Sequence, residues 1–217
     1  MIPYGRQLID EDDIRAVVDV LRSDWLTTGP MVEQFQRAFA ETVGAKHAVA
    51  VSNGTAALHS AMNALGIGPG DEVIVPAMTF AATANCVIYE GGIPVFVDVD
   101  PDTLLIDPEL AAAAVNSRTR AVIAVDYSGQ PANYDSLKHL ADGQDLALVA
   151  DASHALGSAY KSRPVGTLAD LSTFSFHPVK HITTGEGGII TTDRAEYARR
   201  MEHFRNHGIT TDHRQRE

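Results

Sequence analysis

The stretch Ala48-Val49-Ala50-Val51-Ser52-Asn53-Gly54-Thr55-Ala56-Ala57-Leu58 holds a short apolar run, a polar turn containing glycine, and the opening of a helix. A buried strand feeding a helix through such a turn is the unit from which parallel sheets are built. Its turn aims free backbone N–H groups and a positive dipole end toward one point, which makes an anion site suited to phosphate. Asn-Gly-Thr is also a common way to cap a helix, and taken by itself the turn reads first as a cap.

The same alternation repeats outward in both directions. Apolar runs at 72–75, 94–97, 121–125 and 146–150 read as buried strands, and 55–65, 80–90, 108–115 and 133–142 read as helices between them. Runs at 171–176 and 188–192 and a helix near 194–206 complete the series. Upstream, Ile14, Val17, Val18 and Leu21 share one face of a helix over 11–22, and Val32, Phe35, Phe39 and Val43 share one face of a second. The pattern predicts an α/β fold, with a mostly parallel sheet sandwiched by helices.

The 217 residues suffice for a full core, and a net charge of −11 is the wrong sign for a nucleic-acid surface. No apolar run reaches membrane-spanning length, so no membrane contact is expected. Cys86 is the sole cysteine, which fits a reducing, cytoplasmic setting. No Gly-x-Gly-x-x-Gly follows any strand run, which counts against a dinucleotide site and against an unrelated doubly wound nucleotide binder.

In parallel sheets functional groups gather at the carboxyl ends of the strands. There the sequence offers Asp151-Ala152-Ser153-His154, Ser175, and Phe80 after Pro76-Ala77-Met78-Thr79. Asp151 reads equally as a partner for a ring nitrogen or as the cap of the next turn. His154 could bond the same ligand or be structural, and Phe80 could stack on a flat ring or pack in the core. Lys180 follows an apolar run and enters the turn Thr184-Gly185-Glu186-Gly187-Gly188, a place where an amine loses its proton cheaply and can form a Schiff base. A phosphate loop, an aromatic face, a carboxylate and a lysine match the phosphate, ring, ring nitrogen and aldehyde of pyridoxal 5′-phosphate (PLP).

The runs 52–58, Gly68-Pro69-Gly70-Asp71-Glu72-Val73-Ile74, 151–157 and Ser175-Phe176-His177-Pro178-Val179-Lys180 resemble the DegT/DnrJ/StrS family of sugar-nucleotide aminotransferases. The likeness runs from Ile2 to Ile209. It implies the PLP-dependent transferase fold type I and a homodimer with sites at the subunit interface. Lys180 would carry the cofactor as a Schiff base and shuttle the proton. Asp151 would pair with the pyridinium nitrogen and His154 would lie beside the ring. Gly54, Thr55 and Ser175 would hold the phosphate, and Phe80 would stack on the ring.

Within the family, Ser23-Asp24-Trp25-Leu26-Thr27-Thr28-Gly29-Pro30, Gly129-Gln130-Pro131 and His177-Pro178-Val179-Lys180 resemble the pseudaminic acid branch. That likeness implies L-glutamate as donor and a 4-keto-6-deoxy UDP-sugar as acceptor. Asp126 stands where many relatives have His, and Ala150 where many have Glu. Relatives continue into a small C-terminal domain. The resemblance therefore implies that residues 1–208 form the PLP-binding large domain, followed by a flexible tail at 209–217. A truncated, non-catalytic PLP-binding protein or regulator is the alternative function.

Overall fold

The computed structural model describes residues 5–209. The tail expected at 209–217 lies, but for its first residue, outside the described residues. Helix α1 (Glu11–Arg22) opens on a capping box, in which the Asp10 side chain accepts from the Asp13 backbone N–H and the Asp13 carboxylate returns the contact. Helix α2 (Gly29–Val43) has Pro30 in its first turn and ends on Gly44 in the left-handed conformation.

From there the alternation follows the sequence closely. Strand β1 (His47–Val51) leads to α3 (Gly54–Leu65), β2 (Glu72–Pro76) to α4 (Ala81–Tyr89), and β3 (Ile93–Val97) to α5 (Pro108–Ala114). Strand β4 (Thr119–Val125) passes through a short 3-10 turn at 127–129 to α6 (Tyr134–Gln144), and β5 (Ala147–Asp151) follows. A small hairpin, β6 (Ala159–Tyr160) with β7 (Arg163–Pro164), was not foreseen in the sequence. The chain closes with β8 (Leu171–Ser175), β9 (Gly188–Thr192) and α7 (Ala195–Arg205).

The seven longer strands form one sheet in the order β1-β9-β8-β5-β4-β2-β3. All pairs are parallel except those of β9, which runs against both β1 and β8. Side chains along each strand alternate between two apolar layers, as the pleat dictates. On one face Ile74, Val122, Ala124, Leu148 and Ile189 meet Phe39 and Val43 of α2 and Leu137 of α6. On the other, Val73, Val75, Ile123, Val149 and Ile190 meet Leu58 and Met62 of α3, Val87 of α4 and Met201 of α7.

Two sequence expectations need correction. The run 94–97 is not a buried strand: β3 forms the sheet edge, and Ile93 and Phe96 are exposed. The apolar face of α1 buries nothing among the described residues, with Val17 at 61% and Leu21 at 63% exposure.

Candidate active site

The carboxyl ends of β1, β2, β4, β5 and β8 lie at one edge of the sheet, and the antiparallel β9 delivers its first residue there too. Each predicted residue stands at this edge.

After β1, Asn53 caps α3 by accepting from the Ala56 N–H at 2.8 Å. The capping reading of this turn holds, and the Gly54 and Thr55 N–H groups have no protein acceptor among the described residues. Ser175, at the end of β8, sits directly over this turn. A Cβ built on Gly54 would lie 2.9 Å from Ser175 Cβ and 3.2 Å from its Oγ. The Ser175 Oγ accepts from the His177 N–H at 3.4 Å, so its own proton is free to donate. Gly188 closes the cradle from behind: its Cβ position is 2.3 Å from the Asn53 carbonyl oxygen.

Asp151 ends β5 and is buried at 6% exposure. Its Oδ1 accepts from the Ser153 hydroxyl at 2.7 Å and the Ser153 N–H at 3.3 Å, which is the local turn cap. Its Oδ2 accepts from the Thr83 hydroxyl of α4 at 2.7 Å. The carboxyl group is thus fixed by three donors and left with lone pairs for one more. Phe80 is the N-cap residue of α4, one turn before Thr83, and its ring is 77% exposed. The core-packing reading of Phe80 fails, and its face is open to a planar ligand.

Lys180 lies in the loop between β8 and β9, half-buried. That loop is tied at its neck by the Phe176 N–H to Gly187 carbonyl bond at 2.9 Å, and its turn is held by the Lys180 N–H to His177 carbonyl bond at 2.9 Å. Burial lowers the Lys180 amine from its ordinary range, and the Asp151 charge only partly opposes this. No carboxylate pairs with it among the described residues. His154 is half-buried, its ring centroid 6.4 Å from that of Tyr127. Burial lowers it too, followed by the Lys180 charge, with Asp151 opposing. His154 therefore senses the charges of Lys180 and Asp151, and Lys180 senses that of Asp151.

The sequence reading missed Thr83, Ser153 and Gly188. Ser153 was signalled by the Asp-x-Ser spacing of a side-chain turn. Gly188 was signalled by the glycine pair opening β9. Thr83 had no local signal, because its carboxylate partner is 68 residues away. Trp25, in the stretch that resembles the pseudaminic acid branch, is mostly exposed and packs against Gly29.

The cradle without a Cβ, the open ring of Phe80, the fixed carboxylate and the deprotonation-prone lysine fit the phosphate, ring, nitrogen and aldehyde of PLP. Such a sheet with such an edge is the architecture of a fold type I PLP-dependent transferase. Residues 7–217 match the DegT/DnrJ/EryC1/StrS aminotransferase family, and the chain belongs to it. It is 46% identical over 209 residues to the spore coat polysaccharide biosynthesis protein SpsC of Bacillus subtilis, covering 96% of this chain and 54% of SpsC. The chain thus spans about half the length of that relative. The PLP form of the sugar aminotransferase Spr1654 from Streptococcus pneumoniae superposes with a TM-score of 0.93 at 36% identity, over 98% of this chain and 59% of that one. Helicobacter pylori PseC, an aminotransferase of pseudaminic acid biosynthesis, superposes with a TM-score of 0.92 at 35% identity, over 99% and 58%.

Proposed function

We propose that this chain is the cofactor-binding part of a PLP-dependent aminotransferase that moves an amino group from L-glutamate to a 4-keto-6-deoxy UDP-sugar. The observation that carries the reading is the convergence of Lys180, Asp151 and the Gly54–Ser175 cradle on one edge of the sheet. Family membership and the PLP form of Spr1654 support the cofactor, and PseC supports the pseudaminic branch. Assembly as a homodimer in the cytoplasm belongs to the same proposal.

PLP supplies an electron sink and an aldehyde that amines can join. In this reading Gly54, Thr55 and Ser175 hold its phosphate through two backbone N–H groups and two hydroxyls. Phe80 covers one ring face and excludes water from it. Asp151 would accept from the ring nitrogen and so favour a positive charge there. Lys180 Nζ would be the amine that joins the cofactor aldehyde, and the same amine would be placed to move the proton at the α-carbon of glutamate. General acid–base transfer of this kind contributes about 100- to 10,000-fold. His154, held neutral by burial and by Lys180, can donate one ring N–H without adding charge.

The test is covalent capture. Borohydride treatment of the PLP-loaded protein, followed by peptide mass mapping, should place the pyridoxyl adduct on Lys180. The Lys180→Ala variant should lose the adduct, the visible absorbance and all amino transfer. An adduct on another lysine, or a visible band that survives in Lys180→Ala, refutes the assignment. Assaying glutamate against a panel of keto sugar nucleotides then decides the acceptor.

A further inference from the structure

The Thr83 contact to Asp151 belongs to a longer polar chain. The Thr79 hydroxyl donates to Thr83 Oγ1 at 2.7 Å, and Thr83 in turn lies 2.7 Å from Asp151 Oδ2. The direction is forced by chemistry. Asp151 Oδ2 accepts, so Thr83 spends its one proton there, and the Thr83 oxygen is left to accept from Thr79. Thr83 is fully buried, beside Cys86 and beneath the sheet edge.

This chain does two things to Asp151. Ser153 holds Oδ1 and Thr83 holds Oδ2, so the carboxylate cannot rotate about its terminal bond. Thr83 also accepts through an oxygen polarised by Thr79, and a hydrogen bond in such a chain is strengthened by its neighbour. The Thr83 backbone N–H meanwhile bonds the Phe80 carbonyl at 3.0 Å. A single turn of α4 therefore ties the exposed aromatic ring to the carboxylate across two strands of the sheet.

We propose that Thr83 is a positioning residue: backed by Thr79, it fixes the Asp151 carboxylate in the orientation that receives the ring nitrogen of PLP. The inference rests on the PLP reading above and deepens it. Orientation set before the ligand arrives lowers the ordering cost of binding. Thr83→Val keeps the shape and removes the donor.

The experiment measures PLP affinity by fluorescence and absorbance titration, without turnover. A hydrogen bond to a charged group accounts for about 10-fold or more in affinity, so Thr83→Val should bind PLP at least that much more weakly. Thr83→Ser, which restores the hydroxyl, should recover most of the loss. Thr79→Val, at the outer end of the chain, should show a smaller loss in the same direction, and it serves if Thr83→Val does not fold. In an Asp151→Asn background the Thr83→Val loss should nearly vanish, because the residue acts through the carboxylate.

Wild-type affinity in Thr83→Val overturns the proposal, as does an equal loss in the presence and absence of the Asp151 carboxylate. Those outcomes leave the PLP reading standing. A wild-type protein that binds no PLP sinks both.

Discussion

Asp126 is fully buried from water. It follows β4, and its Oδ1 accepts from the Ala132 N–H and the Tyr134 hydroxyl, each at 2.9 Å. Its Oδ2 has no partner among the described residues. Burial raises the carboxyl, the two donors pull it down and the Asp151 charge on the adjacent strand raises it, which leaves it at about 7. The folded protein thus binds a proton that the unfolded chain has released over about pH 4 to 7, so stability falls as pH rises through that window. Asp126→Asn keeps both accepted bonds and cannot ionise. Urea titrations at pH 5 and pH 8 should show wild type losing on the order of 2–3 kcal/mol that the variant does not lose. Parallel pH dependences in the two proteins would show that Asp126 is ionised throughout.

The residue scale also marks where sequence reading stops. Asp151, Lys180 and Ser175 were legible because each ends or follows an apolar run, and the sheet rule says where such residues gather. Asp126 was noticed only as a departure from relatives. Its Tyr134 contact depends on how α6 returns beneath β4, and no short-range pattern encodes that.

At the scale of elements, the phosphate cradle is made by three backbone segments pressed together: the start of α3, the end of β8 and the start of β9. The contacts leave no room for a methyl group. A Cβ at Gly188 would meet the Asn53 carbonyl oxygen at 2.3 Å and its carbon at 2.4 Å, and main chain cannot step aside as a side-chain tip can. Gly188→Ala should therefore lower stability by about 1–3 kcal/mol and weaken PLP affinity together. Gly143→Ala in α6 is the matched control. A Cβ there meets nothing within 4 Å, and alanine is the better helix former by roughly 0.5–1 kcal/mol. Denaturant midpoints and a PLP titration check both, and equal stability of the two variants would mean that the cradle is looser than drawn. The sequence showed these elements because periodicity and turn chemistry are local. It did not show that three of them converge within van der Waals contact.

At the scale of the molecule, the alternation of runs fixed the class of fold but not the strand order. Nothing near His47 announces that β1 pairs with β9, since His47 and its partner Thr192 lie at opposite ends of the chain. One global feature was within reach of a pattern. No helical stretch separates 171–176 from 188–192, and a parallel connection needs a crossover of a dozen or more residues, usually helical. The reversal of β9 follows from that. The exposed face of α1 shows the opposite case: its period correctly identified a helix, while what covers it is a matter of tertiary structure.

That reversal gives the lysine loop an unusual mechanical independence. Both ends of the excursion from Phe176 to Gly187 are anchored in neighbouring ladders, and β9 is gripped on its other side by β1. A single protease cut among residues 181–186 should leave two pieces that stay associated through native gel filtration, with the amine of Lys180 on the larger one. Separation of the pieces without denaturant would mean that the covalent link, rather than the ladders, holds the last strand in place. Such a nicked assembly would tolerate grafted or lengthened loops at this point, because the sheet does not depend on the thread that crosses it.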